Sequence, residues 1–365
     1  MNGGPVRKSG SPRPAGEGET PDVSVLMYVY NHERTLVQAI ESVLMQRGSF
    51  TAEIIIHDDA SEDGSQEVIK KYAAAYPGLI FPILQNENQM GQGINIVDRY
   101  VMPRVRGRYI AHCEGDDYWT DPDKLRRQIR FLDRHPAFSG VSHSCEVVDR
   151  DGKPRRAEGV SGRVTAGGHF APYPGPKIYT LRDLALEGRM PGQTAAVVYR
   201  SSCQTGMSGT AREAYGALRA VFGDRRRTLL ILLNGPVFVK NRAMSAYRYA
   251  PESGGSWNAR MRGRNLAGRL FLQETDFRRF AAEEFGVRLR NDYALFGYGT
   301  MALLRRVLRG NAADRDQFSL ILAETGGAAG FAAVMCRSLP GALRAAAERE
   351  AERITELPRK AGPVT

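Results

Sequence analysis

Between Asp22 and Asp149, short apolar runs alternate with amphipathic helical patterns, and this alternation restricts the fold more than anything else in the chain. Val23–Val29 is an apolar run of strand length. Leu36, Ile40, Val43 and Leu44 then recur at i, i+4, i+7 and i+8, one face of a helix. Glu53–His57 reads as a second buried strand, followed by a helix marked by Val68, Ile69, Tyr72 and Tyr76 and closed by Pro77 and Gly78. Ile80–Leu84 and Tyr109–Cys113 read as further strands. Helical patterns follow at Ile94, Val97 and Val101, and at Leu125, Ile129 and Leu132. Unbroken apolar strands suit a sheet buried on both faces, and strand–helix alternation with short joints makes that sheet mostly parallel. The expected class is α/β, Rossmann-like, with helices flanking the sheet.

In such sheets ligands bind beyond the carboxyl ends of the strands. Three polar clusters fall there: Tyr28–Asn31, Asp58–Asp63 and Glu114–Asp117. Adjacent carboxylates repel unless something positive lies between them. For Asp116 and Asp117 a hard cation, Mg²⁺ or Mn²⁺, answers that need, since it shares carboxylate oxygens with phosphates. An Asp pair alone is also compatible with a helix cap, and Asp58, Asp59 and Asp63 with a solvated turn opening a helix. Strand alternation makes Cys113 a packing residue and His112 a structural hydrogen-bonding one.

The segment Tyr118–Pro136 adds specificity. CEGDDYWTDPDKLRRQIRFLDRHP resembles the donor-site segment of the inverting family 2 glycosyltransferases, which have the GT-A fold. VSVLMYVYNHERTLVQAIESVLMQ resembles their first strand, nucleotide loop and helix, and EIIIHDDASEDGSQEVIKKY their second strand and acidic uridine-binding turn. The resemblance covers about Asp22 to Asp149, in the family's order. It implies that Tyr28, Tyr30 and Asn31 border the nucleotide base and that Asp59 accepts the uracil N3–H, with Asp58 supporting the turn. It further implies that Asp116 contacts ribose or sugar, and that Asp117 binds the metal bridging the phosphates of a UDP-sugar. RMPGQTAAVVYRSS and GDRRRTLLILLNGPVFVKNRAMSAYRY resemble, more loosely, the acceptor half. They imply Asp224 as catalytic base and Tyr247-Arg248 beside the diphosphate; a helix N-cap is the other reading of Asp224. Many members read Tyr-Arg-x-His, whereas Ala250 stands here in the histidine's place. Arg225-Arg226-Arg227 are also unusual: they suit an anionic acceptor or, slightly better, solvent. PESGGSW, Pro251–Trp257, reads either as a flap in which Trp257 covers the sugar or as a plain surface loop.

The implied domains are a disordered tail (1–20), a GT-A domain (21–257, with a nucleotide-sugar half, 21–149, and an acceptor half, 150–257) and a helical region (258–365). Arg150–Pro176 reads as a loop or lid, Thr180–Glu187 as a helix, Ala195–Tyr199 as a strand and Val237–Tyr247 as paired strands. Net charge is +11, which favours an anionic partner. Asn258–Gly310 carries eleven arginines and no lysine, suited to an anionic inner membrane face, to covering the domain or to a homodimer contact. No nucleic-acid recognition motif accompanies the charge, so nucleic acid is not an expected partner. The four cysteines contain no C-x-x-C pair, which argues against zinc and fits a reducing compartment. No apolar run reaches membrane-spanning length, so a cytoplasmic protein, peripheral on the inner membrane face, is expected. The implied activity is metal-dependent, inverting sugar transfer from a UDP-sugar to a glycan, lipid-linked sugar, peptide or natural product. The rival is a non-catalytic GT-A protein that binds a nucleotide or glycan, and a receiver-like phosphoacceptor, suggested by Asp58-Asp59, ranks below both.

Overall fold

The computed structural model describes residues 12–154, 176–187, 190–205, 213, 215, 223–249, 267–289, 303–310, 312–333 and 336. Its first half follows the strand–helix rhythm of the sequence: β1 (Arg13–Pro14), β2 (Val23–Val29), α1 (Glu33–Leu44), β3 (Thr51–Asp58), α2 (Ser65–Ala75), β4 (Ile80–Leu84) and β5 (Tyr109–His112). Then come β6 (Tyr118–Trp119), α3 (Lys124–Arg134), β7 (Gly140–Val148), β8 (Lys177–Tyr179), α4 (Leu181–Glu187), β9 (Val198–Arg200) and α5 (Ser202–Thr205). The described chain closes with α6 (Gly223–Leu233), β10 (Val237–Arg248), α7 (Ala267–Phe285) and α8 (Ala312–Glu324).

The strands form one sheet in the order β1-β3-β2-β5-β9-β7-β10-β6, with β4 also against β3 and β8 against β10. β2, β3, β4 and β5 pair in parallel, while β9 runs antiparallel to β5 and β7. The chain therefore leaves β2 toward β3 and β4 and returns on β2's other side as β5. That reversal opens a crevice beyond the ends of β2 and β5, where an open α/β sheet binds ligands.

Alternation along the strands separates two cores. Val23, Val25, Met27, Ile54, Ile56, Tyr109 and Ala111 face one, with α1, α2 and α3 packed over them. Leu26, Ile55 and Ile110 face the other, covered by α4, α6 and α7 through Leu184, Leu229–Leu232, Phe277 and Phe280. The start of the C-terminal helical region thus covers the sheet. α1 buries Leu36, Ala39, Ile40, Val43 and Leu44. Each large aliphatic contributes about 1.5–3 kcal/mol on burial, against a backbone-ordering cost of about 1–2 kcal/mol per residue. A helix this short is marginal alone, so the sheet holds it, and Ile40→Ala would cost about 2–5 kcal/mol.

Several expectations need correction. Arg13–Pro14, within the expected disordered tail, pairs in parallel with Thr51–Ala52. The paired strands at Val237–Tyr247 are one strand, which stays in register with β7 from Val237 to Arg248 except for irregularities between Lys240 and Ser245. The polar residues Lys240–Arg242, which look like a turn, are the bulge. The helix expected at Ile94–Val101 is one π-helical turn, Val97–Val101, followed by a 3₁₀ turn, Met102–Arg104. Pro103 lacks the N–H that a continuing helix needs. No described helix is long and apolar enough to cross a membrane.

Candidate active site

The turn after β3 is built by its own carboxylates. Asp58 accepts bonds from the Ser61 N–H (2.9 Å), the Ser61 hydroxyl (2.5 Å) and Gln66 Nε2 (2.8 Å). Asp59 accepts the amides of Gln89 (2.9 Å) and Met90 (3.0 Å), tying the loop after β4 to this turn. Asp63 accepts the amides of Glu33 and Ser65, at the starts of α1 and α2, each at 3.0 Å. The helix-opening reading therefore describes Asp63. Burial pushes its pKa up, but the bonds from Ser65 and Glu33 outweigh burial and hold it below the usual carboxylate value. Asn31 lies across from this turn; its N–H meets Ser61 Oγ (2.8 Å) and its Oδ1 accepts the Glu62 N–H (2.8 Å). Asn31 (φ 59°) and Ala60 (φ 61°) are both left-handed, a conformation asparagine adopts readily and one that strains an alanine. Tyr30 is half-buried beside Asn31. Tyr28 stands apart from them: it packs against the second core, and its hydroxyl is buried without a hydrogen-bond partner among the described residues.

The turn after β5 is different. Glu114, Asp116 and Asp117 offer carboxylate oxygens that lie within 4.8 Å of one another. Gly115 permits the approach. Its N–H reaches the Tyr28 carbonyl (3.0 Å), and a Cβ there would stand 2.7 Å from His32 Nδ1. Asp117 is fully buried and accepts the Arg248 N–H (2.9 Å) and Gln193 Nε2 (2.7 Å). Burial, then the charges of Asp116 and Glu114, push its pKa well above the carboxylate range despite those two bonds. Glu114 is pushed up to about 7 by burial and by Asp116; Arg227 opposes the rise and Asp224 adds to it. His32 Nε2 lies 3.9 Å from Asp116. The helix-cap alternative fails for Asp116 and Asp117, because β6 follows them and α3 begins only at Lys124. Three mutually repelling carboxylates with few donors suit a divalent cation, and their oxygens are the ligands that Mg²⁺ and Mn²⁺ take.

The segment beyond the turn locks it in place. Trp119 donates its N–H to Ser42 Oγ (3.0 Å) and its Nε1–H to the Ala195 carbonyl (3.1 Å). Buried Lys124 sits 4.2 Å from the Trp119 ring centroid and donates to Gln128 Oε1 (2.9 Å). His112 meets the Tyr199 hydroxyl at 3.2 Å and Cys113 is buried, so both have the structural roles expected of them.

The acceptor half brings its own residues. Asp224 lies in the first turn of α6, near enough to Glu114 for its charge to raise that group's pKa. Arg225–Arg227 do not face solvent, which corrects the reading slightly preferred from sequence. Arg226 donates to the Tyr215 carbonyl (3.0 Å) and lies over that ring, and Arg225 lies over Phe277. Arg227 reaches Thr194 Oγ1 (3.3 Å), and its charge acts on Glu114, Tyr28 and His112. Arg248, expected at the diphosphate, is a clamp. It is 6% exposed, and its guanidinium donates to the Asp116 carbonyl, the Arg150 carbonyl (3.1 Å) and Gln38 Oε1 (2.6 Å). Tyr247 lies near Tyr249, with ring centroids 6.5 Å apart. Ala250 and Trp257 lie outside the described residues. Sequence reasoning missed Gln193 and His32, and it placed Arg227 in a group read as slightly better suited to solvent. No local signal marks Gln193, whose partner Asp117 lies 76 residues away in sequence.

A sequence model described as glycosyl transferase family 2 matches residues 24–204. An uncharacterised protein of Mycobacterium tuberculosis is 44% identical over 130 residues, 36% of this chain and 37% of that protein. EpsE of Bacillus subtilis, named as a glycosyltransferase, is 37% identical over 132 residues, 36% of this chain and 46% of that protein. The succinoglycan biosynthesis protein ExoO of Rhizobium meliloti is 33% identical over 143 residues, 39% of this chain and 38% of that protein. Each match spans less than half of the relative's length. Among solved structures, S. aureus TarS 1–349 in complex with UDP-GlcNAc superposes with a TM-score of 0.50 at 15% identity, covering 83% of this chain and 80% of that one. The fold is therefore that of the GT-A glycosyltransferases. Residues 24–204, which run from β2 into α5 and hold both acidic turns and Gln193, match glycosyl transferase family 2.

Proposed function

We propose that this chain transfers a sugar, with inversion, from a UDP-sugar to an acceptor hydroxyl, and that Asp224 is the base. The observation that carries this reading is the carboxylate trio Glu114, Asp116 and Asp117 beyond β5, at the sheet's topological switch point. Tyr30, Asn31 and the turn held by Asp58 and Asp59 form the far wall of the crevice and receive the base and ribose. Asp59 keeps lone pairs free for the uracil N3–H beyond its two amide bonds. Asp117 and its neighbours in the trio would hold Mg²⁺ or Mn²⁺, which would neutralise charge on the leaving diphosphate. Gln193 and the Arg248 amide orient Asp117, and the Arg248 guanidinium fixes the main chain at Asp116. The positive charge of Arg227 acts on Glu114 from the acceptor half.

Asp224 takes the acceptor's proton as its oxygen bonds to the anomeric carbon from the face opposite the phosphate. The bond from that carbon to phosphate breaks, and UDP carries away the electron pair. A UDP donor is supported by the UDP-GlcNAc complex of TarS, and polysaccharide biosynthesis as the setting by ExoO. The test is a panel of UDP-sugars with Mn²⁺, read by melting temperature and then by UDP release with added acceptors. Binding raises the melting temperature by mass action. If every UDP-sugar leaves the melting temperature unchanged and no UDP is released, the reading fails.

A further inference from the structure

α3 turns one face of arginines away from the sheet, toward the bulge of β10. Arg126, Arg127, Arg130 and Arg134 from α3, with Lys240 and Arg242 from β10, line an open groove of about 520 Å³. Two carboxylates stand against these six cations. Asp121 lies 3.2 Å from Arg242 and 3.7 Å from Arg127; Asp123 lies 3.0 Å from Arg126 and 3.6 Å from Arg127. Arg130 and Arg134 are exposed and make no ion pair among the described residues. Lys240 rests on the rings of Phe131 and Phe238, 5.2 and 5.5 Å from their centroids. Burial, then the charge of Arg127, lowers its pKa, so the groove's cations repel one another. Like charges four residues apart on a helix also destabilise it, and Arg126, Arg130 and Arg134 have that spacing.

We propose that this groove binds a soluble ligand carrying two or more phosphate groups, independently of the sugar-transfer reading. Guanidinium forks match phosphate oxygens pairwise, and one phosphate saturates two of them. Arg126 to Arg134 spans about 12 Å of helix, too long for a single phosphate. The exposed large apolar residues of the described chain are Val37, Met90, Ile178 and Leu308, none of which lines the groove. A bilayer-docking face would set such residues beside the cations. The groove is also distinct from the carboxylate trio, since none of Glu114, Asp116 and Asp117 lines it.

The test is calorimetric titration of the full chain with inorganic tripolyphosphate, in EDTA so that the metal-free carboxylates repel the probe. Expected are one saturable site per chain and much weaker binding of orthophosphate. Affinity falls at least about tenfold in the double variant Arg130→Gln/Arg134→Gln and recovers in part in Arg130→Lys/Arg134→Lys. An unchanged melting temperature shows that both variants fold. Lack of saturable binding, or equal affinity in the Gln variant, overturns the proposal. So does retention on phosphatidylglycerol vesicles or duplex DNA that needs Arg130 and Arg134 while tripolyphosphate does not bind; the groove is then a membrane or nucleic-acid surface.

Discussion

The turns after β3 and β5 are both acidic, both close a central parallel strand and both face the same crevice, yet they handle charge in opposite ways. In the β3 turn the three aspartates are matched: Asp58, Asp59 and Asp63 each accept at least two bonds from amides or hydroxyls, and Glu62 is exposed. In the β5 turn three carboxylates crowd within 4.8 Å, and burial with mutual repulsion pushes Glu114 and Asp117 upward. The first turn uses its charge to build shape. The second keeps its charge in want of a partner, which a structural turn has no reason to do. The same letters in a sequence thus separate only when burial and neighbouring charge are weighed along with their donors.

The largest expected effect lies across the crevice, at Asp224. Asp224→Asn removes proton acceptance while preserving size, and transfer falls by about 10²–10⁴-fold with UDP binding unchanged. Near-normal turnover would mean that the base is elsewhere and that Asp224 only opens α6. Next is Asp117→Asn, with a loss of about 10²–10³-fold in turnover and of metal-dependent UDP binding. UDP affinity that is the same with and without EDTA in the unmodified chain would remove the metal from the β5 turn, and the contrast between the turns with it.

Asp58→Ala probes the scaffold side. It leaves the Ser61 amide and hydroxyl without their acceptor next to Ala60, which holds a positive φ, and takes one of two acceptors from Gln66, for a loss of about 2–3 kcal/mol in unfolding free energy. Denaturant melts measure this, and a loss of UDP affinity follows from the displaced turn. A variant that keeps full stability and loses only UDP affinity would make Asp58 a ligand contact, and the two turns alike.

The first half of the fold was legible because strands buried on both faces write themselves as unbroken apolar runs, and their ends show where polarity resumes. The second half was less so. GDRRRTLLILL reads as a polar start to an apolar helix, but Arg225 and Arg226 lay their guanidinium groups on Phe277 and Tyr215, contacts that local sequence does not encode. Arg248 shows the limit from the other side. Its donors go to Asp116, Arg150 and Gln38, far apart in sequence. Gln193 reaches Asp117 across 76 residues, and no local pattern announces such a pair.

The smallest expected effect is the most direct test of the contrast. Glu114→Gln keeps shape and removes one of three repelling charges, so the metal-free protein gains about 1 kcal/mol at pH 8. Asp63→Asn, the matching change in the β3 turn, weakens the bonds to the starts of α1 and α2 and lowers stability instead. Asp63 has its pKa lowered in the folded state, so the unfolded chain binds its proton first as pH falls. Its contribution is therefore present above the ordinary carboxylate pKa and is lost as pH drops through the folded value. Paired urea melts at pH 8 and in the acid range read both signs. Destabilisation by Glu114→Gln in the absence of metal would show that the β5 turn, like the β3 turn, is held together by its carboxylates, and the case for an ion-binding site there would fall.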